Sequence, residues 1–140
     1  MSGKVPARFG YGFGCAVLAA ATMLGGVAPA SATPPAYGHL YLTVYQGEDT
    51  DGDALGRVEL WCDANGGTHP DPDGACGVLD AADGDPANVP GTSGACTMQY
   101  EPVTAVAEGY WWGGVRLVDF TETYGNRCAL RFAKAPLFDF

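Results

Sequence analysis

Basic side chains are scarce in this sequence, which has 7 Lys and Arg against 16 Asp and Glu and a formal net charge of −9. All 16 acidic residues but only 5 of the 7 basic ones follow position 32, so the last 108 residues carry a net charge of −11. Such a surface is repelled by the phosphates of nucleic acids and by anionic lipids. The composition therefore argues against nucleic acid or a membrane surface as a partner.

Long apolar segments are absent after the N-terminal region. Two basic residues precede an uncharged apolar stretch over 15–27, and Ala30–Ala32 offers small residues for cleavage. The stretch is too short to cross a bilayer, and the pattern is that of a secretory signal peptide. Cys15 begins the apolar stretch, whereas the cysteine of a lipoprotein follows it. We predict a signal peptide over 1–32 and one secreted domain over 33–140.

Closely spaced cysteine pairs are also missing, which argues against a zinc site. Four cysteines follow the signal peptide: Cys62, Cys76, Cys96 and Cys128. An even number in a small exported domain predicts two disulfides, which compensate for a limited core. Three pairings are possible, and the spacing does not choose among them.

Histidine is rare, and the predicted mature domain has only His39 and His69. Ser93, in a Gly-Thr-Ser-Gly stretch, is the one candidate for a catalytic serine, and a small hydrolase is the alternative function that it would support. A catalytic triad needs Ser, His and Asp to converge, together with an oxyanion hole. The stretch is interpreted more simply as a flexible loop, and His69 as a turn residue with a local hydrogen bond. We predict no catalytic residue, no enzyme activity and no cofactor.

Asp49, Asp51 and Asp53 have the first three spacings of an EF-hand loop. Ala54 stands where that loop needs glycine, and Leu60 stands where it needs glutamate. The segment is interpreted as an acidic turn, with a weak calcium site as the alternative. No metal ligand is predicted.

The first half of the mature chain predicts a hairpin and a helix. Leu40–Tyr45 is rich in β-forming residues, and Arg57–Cys62 alternates polar and apolar residues. The two segments would pair across the acidic turn. Gly74–Ala82 has apolar residues at helical spacing, with Asp73 as the predicted N-cap.

The second half predicts further strands. Val103–Ala107 and Tyr110–Thr121 are expected to pair through a turn at Glu108–Gly109. Gly125–Leu130 is expected to form a helical turn, and Leu137–Phe140 a terminal strand. The predicted class is α+β, with a single antiparallel sheet of about five strands, two short helices and two disulfides.

One loop does not fit the apolar patterns. Met98 lies two residues after Cys96, in the segment Thr97–Pro102, outside any periodic run. Considered alone, a loop methionine is most simply a filler of the core.

The sequence from about 40 to 140 resembles the Streptomyces subtilisin inhibitor family. The resemblance lies in an ordered set of segments: Leu42–Val44 with Gly47, Leu60 and Cys62, Gly67–Pro70 and Cys76, Gly84–Pro86, Cys96–Val103, Asn126–Cys128, and Phe138–Phe140. Each segment is weak alone, but their order, with four cysteines and a signal peptide, is specific. The resemblance implies inhibition of subtilisin-like serine proteases, with chymotrypsin-like enzymes as a further class. A non-inhibitory binding domain on the same scaffold is the alternative.

The resemblance also assigns individual residues. It implies the disulfides Cys62–Cys76 and Cys96–Cys128, and a cleavable, substrate-like reactive bond at Met98–Gln99, with Met98 as the P1 residue. It further implies a homodimer that associates through sheet faces.

The remaining residues expected to contact a protease are Ala95, Cys96, Thr97, Tyr100 and Asn126. Asn126 is also expected to brace the loop, and Tyr100 to fix its exit. Two of these residues depart from the family: Thr97 stands where proline is frequent, and Ala95 stands where a larger apolar side chain fills the fourth subsite. Both departures are expected to weaken binding.

Overall fold

The structure is a computed structural model that describes Gly26 and residues 37–140. The predicted signal peptide, 1–32, apart from Gly26, and the predicted mature start near Thr33 therefore lie outside the described residues. No helix among the described residues is long and apolar enough to cross a membrane.

The central strand of the sheet, Gly38–Gln46, has side chains that alternate between its two faces. Leu40, Leu42 and Val44 point to one side of this strand and are fully buried, while Tyr41 between them is exposed. Period-two alternation of this kind gives a sheet with one face on the core and one toward solvent.

The sheet has five strands: β1 (Gly38–Gln46), β2 (Ala54–Cys62), β3 (Gly66–Gly67), β4 (Val103–Trp111) and β5 (Arg116–Tyr124). It is open and antiparallel, with the spatial order β3-β2-β1-β4-β5. With two α-helices and two disulfides, this confirms the predicted α+β class.

Two α-helices and one short 3₁₀ helix accompany the sheet: α1 (Pro72–Ala81), the 3₁₀ helix (Pro86–Asn88) and α2 (Arg127–Lys134). The predicted cap of α1 at Asp73 is wrong, because the helix begins two residues earlier. The Asp71 side chain accepts a hydrogen bond from the backbone N–H of Gly74 at 3.0 Å. Pro72 lacks an N–H and therefore suits the first helical position.

The predicted turn at Glu108–Gly109 is also wrong. Both residues lie inside β4, and the chain reverses at residues 112–115, where Gly113 and Gly114 have positive φ. Gly109 instead permits close approach to β1, because a Cβ atom there would overlap with the backbone of His39. A glycine needed for packing thus has the same appearance in the sequence as a glycine needed for a turn.

The expected terminal strand Leu137–Phe140 does not form. The segment follows α2 as a turn, with Asp139 N–H bonded to the Pro136 carbonyl at 3.2 Å. Leu137 and Phe138 are consecutive and both buried in the core, so the segment packs without the two-face alternation of a strand. The fifth strand is instead the two-residue β3.

The core lies between the inner face of the sheet and the helices. α1 contributes Ala75 and Leu79, and α2 contributes Leu130. The first disulfide, Cys62–Cys76, joins the end of β2 to α1 with a Cα–Cα distance of 5.5 Å. This bond fixes α1 at one end of the sheet. The loop between the 3₁₀ helix and β4 is bonded instead to α2, through the second disulfide.

Candidate functional site

A 13-residue segment without regular secondary structure, 90–102, links the 3₁₀ helix to β4. We call it the presenting loop. Its Met98 side chain is 100% exposed, and Ala95, Thr97 and Gln99 beside it are exposed as well. The interpretation of Met98 as a core filler is therefore wrong, and a long apolar side chain stands free at the surface.

A disulfide holds the middle of the presenting loop. Cys96 is bonded to Cys128 in the first turn of α2, with a Cα–Cα distance of 5.8 Å. This pairing and Cys62–Cys76 are the two that the resemblance implies. The backbone two residues before Met98 is thus covalently tied to a helix of the core.

Asn126 holds the backbone on both sides of Met98. Its Nδ2 donates to the carbonyl oxygen of Thr97 at 3.3 Å and to that of Gln99 at 3.0 Å. Its Oδ1 accepts from the backbone N–H of Ala129 at 2.9 Å and so caps α2. One side chain therefore couples the start of the helix to the carbonyl groups that flank Met98.

Phe132 supports the part of the presenting loop that precedes Cys96. Its carbonyl oxygen accepts from the backbone N–H of Thr92 at 2.6 Å and from the Thr92 hydroxyl at 3.3 Å. Its ring fills the space where a side chain at Gly94 would stand. This role of Phe132 could not be predicted from the sequence, because nothing in the spacing of residues 94 and 132 indicates contact.

The β1–β2 turn supports the loop exit. The Tyr100 hydroxyl donates to the Glu48 carboxylate, and the backbone N–H of Gly47 donates to the Pro102 carbonyl at 2.8 Å. The hydrogen bond to Glu48 raises the pKa of Tyr100. Glu101 N–H adds a bond to the Gly125 carbonyl at 3.0 Å. The loop is thus held along both of its arms while Met98 stays free.

Ser93 and His69, the residues of the alternative hydrolase site, do not form a catalytic pair in the structure. His69 is only 5% exposed, its Nδ1 accepts from the backbone N–H of Asp71 at 3.0 Å, and its Nε2 lies 3.1 Å from the Leu137 carbonyl. The bond to Asp71 is the predicted local hydrogen bond, whereas Leu137 lies 68 positions away along the chain, so the second contact is tertiary. Both ring nitrogens are occupied, so neither is available to the exposed Ser93.

The acidic segment forms the β1–β2 turn, as predicted. Asp49 accepts from the backbone N–H of Asp51 at 3.0 Å, and all three carboxylates are exposed. Within the part of the chain that the structure describes, no group of three or more metal-binding side chains is present.

The sequence of this chain is similar to a known protein family and to several known proteins. The family described as "Subtilisin inhibitor-like" matches residues 36–126. The chain is 40% identical over 130 residues to a "Subtilase-type protease inhibitor" of Streptomyces fradiae, covering 89% of this chain and 90% of the relative. It is 39% identical over 99 residues to "Subtilisin inhibitor-like protein 1" of Streptomyces cacaoi, covering 68% of this chain and 88% of that protein.

A solved structure agrees with these relatives. Streptomyces caespitosus sermetstatin, crystallised in complex with Bacillus licheniformis subtilisin, matches with a TM-score of 0.62 and 33% identity. The match covers 74% of this chain and 98% of sermetstatin. The fold, the family match and the two relatives agree, and the chain belongs to the subtilisin inhibitor-like family.

Proposed function

We propose that the protein is a secreted, substrate-like inhibitor of subtilisin-like serine proteases, and that Met98–Gln99 is its reactive bond. The observation that carries the proposal is a fully exposed Met98 on a loop whose two arms are fixed to the core. A disordered segment would be cut and released, whereas a held segment stays in the protease cleft. The related inhibitors and the subtilisin complex of sermetstatin support the same target class.

In this mechanism the presenting loop binds as an extended strand along the protease cleft. Met98 enters the S1 pocket, where a long, flexible, apolar side chain fits a large hydrophobic site. The residues that contact the protease before the reactive bond are Ala95, Cys96 and Thr97. Tyr100 contacts it after the bond, and Asn126 does so from the N-terminal cap of α2. Because the disulfide and the Asn126 bonds order the loop in advance, little conformational entropy is lost on binding.

The same restraints explain inhibition rather than rapid cleavage. If the Met98–Gln99 bond is cut, the new carboxyl end stays attached through Cys96 and the new amine through the Glu101–Gly125 bond. The two ends remain close together at a high effective concentration, so religation competes with hydrolysis. The inhibitor is then released slowly and largely intact.

Titration of subtilisin with the purified domain, 33–140, tests the proposal. We expect stoichiometric loss of peptidase activity, followed on long incubation by a new N-terminus at Gln99. Full protease activity at micromolar domain, or first cleavage at another bond, would refute the assignment. Turnover of an ester substrate that is lost in Ser93→Ala would favour the hydrolase instead.

We further propose that the outer sheet face forms a homodimer. On this face Tyr41 is 49% and Trp61 45% exposed, and the His39 ring packs against both at centroid distances of 5.0 and 6.1 Å. An aromatic cluster exposed on a sheet face has the composition of an interface core.

Sedimentation of the wild type and of Tyr41→Lys tests the dimer. Tyr41 pairs across the strands with Glu59 and Glu108, so a lysine there keeps favourable cross-strand pairs and preserves the sheet. We expect a dimeric wild type and a monomeric, folded variant. Val115→Lys, on the exposed β4–β5 turn, is the matched control and should remain dimeric. A monomeric wild type would refute the proposal.

A further inference from the structure

A buried lysine lies where the presenting loop begins. Lys134, the last residue of α2, is only 6% exposed. A lysine in the last turn of a helix ordinarily points to solvent and complements the helix dipole. This one points inward, and the mechanism above does not use it.

The Lys134 ammonium group is bonded only to backbone carbonyls. Its Nζ lies 2.9 Å from the Pro86 oxygen, 3.1 Å from that of Ala87 and 3.4 Å from that of Val89. An ammonium group has three N–H donors, and three acceptors are present. The Phe120 ring centroid is 5.5 Å from Nζ and adds a cation–π contact.

No carboxylate of the described residues forms an ion pair with Lys134. Burying a charge without an opposite charge is unfavourable unless hydrogen bonds compensate. An apolar side chain would fill the same space without that cost. The ammonium group differs from an apolar side chain in being directional, because it fixes the positions of three carbonyl groups within four residues, those of Pro86, Ala87 and Val89.

Those carbonyl groups belong to the 3₁₀ helix and to Val89, immediately before the presenting loop. The next fixed points along the loop are Thr92, bonded to the Phe132 carbonyl, and Cys96, bonded to Cys128. Asn126 at the opposite end of α2 holds the carbonyls around Met98. One helix therefore contacts the loop in sequence, from its start to the reactive bond.

We propose that Lys134 is a positioning residue for the inhibitory loop, and that its ammonium group fixes the start of the loop to the C-terminal end of α2. The inference rests on the proposed function, but its structural part is independent of protease inhibition. Lys134 lies beyond residue 126, where the family match ends. Loss of its hydrogen bonds should loosen residues 86–92 while the sheet remains intact.

The test is amide hydrogen exchange on wild type, Lys134→Met and Arg131→Met. Methionine keeps the length and apolar stem of lysine without its donors. Arg131 is on the same helix but is largely exposed, so its variant controls for loss of positive charge. We expect the Val89 and Thr92 amides to exchange at least tenfold faster in Lys134→Met only, with β1 unchanged. If Lys134→Met does not fold, the same exchange measurement is made on Lys134→Gln, in which a polar side chain replaces the lysine.

The same proteins are then titrated against subtilisin at a temperature where all are folded. We expect at least a tenfold higher Kd and faster cleavage at Met98–Gln99 for Lys134→Met, and wild-type values for Arg131→Met. A uniform rise in exchange, or none, would overturn the proposal, and so would local loosening without change in inhibition. A wild type that does not inhibit refutes the proposed function, while the exchange pattern still decides whether Lys134 fixes the loop.

Discussion

The ring of Phe132 lies so close to Gly94 that a Cβ atom at position 94 would overlap with it. The contact joins α2 to the arm of the presenting loop that precedes Cys96. Because the neighbouring Thr92 is bonded to the Phe132 carbonyl, this arm cannot move away without breaking a second contact.

Gly94→Ala should therefore weaken inhibition. The added methyl group must displace either the loop or the ring, at a cost of about 1–3 kcal/mol. We expect subtilisin titration to show a Kd raised by roughly tenfold. Gly77→Ala on α1 is the control, because a Cβ atom there meets nothing within 4 Å. It should leave inhibition unchanged and stabilise the helix by about 0.5–1 kcal/mol.

Substitution of Met98 should change the specificity of inhibition. Met98→Ala removes the side chain proposed to fill the S1 pocket, and a central anchor of this kind contributes about 2–4 kcal/mol. Met98→Lys should gain inhibition of trypsin, whose pocket carries an aspartate. The Kd values for subtilisin and trypsin measure both effects, and an unchanged profile would remove Met98 from the P1 position. Because Met98 is fully exposed, neither change should alter the melting temperature.

Asn126→Asp should separate the two roles of this residue. Aspartate still caps α2 by accepting from Ala129 N–H, but it cannot donate to the carbonyls of Thr97 and Gln99. We expect at least roughly tenfold faster cleavage of Met98–Gln99 and a loss of stability of about 1–2 kcal/mol, since two bonds of about 1 kcal/mol each are lost while the cap is kept. Asn126→Ala loses the cap as well, and its stability should fall by about a further 1 kcal/mol. Equal cleavage rates in Asn126→Asp and wild type would contradict this role.

Removal of the two disulfides should have different consequences. The Cys62–Cys76 bond spans 14 residues and the Cys96–Cys128 bond 32, so paired alanine variants should lose about 3 and about 4 kcal/mol of stability. Only the second bond holds the presenting loop. Assayed where both variants are folded, loss of Cys96–Cys128 should convert the inhibitor into a substrate, whereas loss of Cys62–Cys76 should leave the Kd unchanged. The same Kd in both variants would contradict the assignment.

Stability should fall at alkaline pH through Tyr124. Burial, followed by the hydrogen bond to the Glu122 carboxylate, raises the pKa of Tyr124 well above its ordinary value near 10. A raised pKa contributes stability that is complete below the unfolded value and decreases as the pH rises above about 10. Urea unfolding between pH 9 and 11 should show a smaller loss for Tyr124→Phe than for wild type. Parallel curves for the two proteins would refute the prediction.

Much of the fold could be predicted because it depends on local patterns. Period-two alternation marks β1 and β2, and helical spacing marks α1. The errors occur where one residue type serves two purposes. Gly109 has the sequence context of a turn glycine but allows β4 to approach β1, and Phe138 alternates like a strand residue but packs in the core.

The candidate site was predictable only in part. The position of Met98 two residues after a cysteine, together with the resemblance, indicated the presenting loop. The contacts of Phe132 and Lys134 were not predictable, because they join residues about 40 or more positions apart whose types are ordinary for a helix. Tyr100 was expected to fix the loop exit, but its partner Glu48 lies 52 positions away.

The sequence by itself determined the acidic character of the domain, its class, its cysteine content and the segment that carries Met98. These follow from composition and short-range order, which any stretch of chain displays locally. The tertiary structure alone decided which groups hold that segment still. Asn126, Phe132 and Lys134 reach the loop only because the sheet and the core place α2 beneath it. The difference between a substrate and an inhibitor lies in that restraint, which is a property of distant residues brought together by folding.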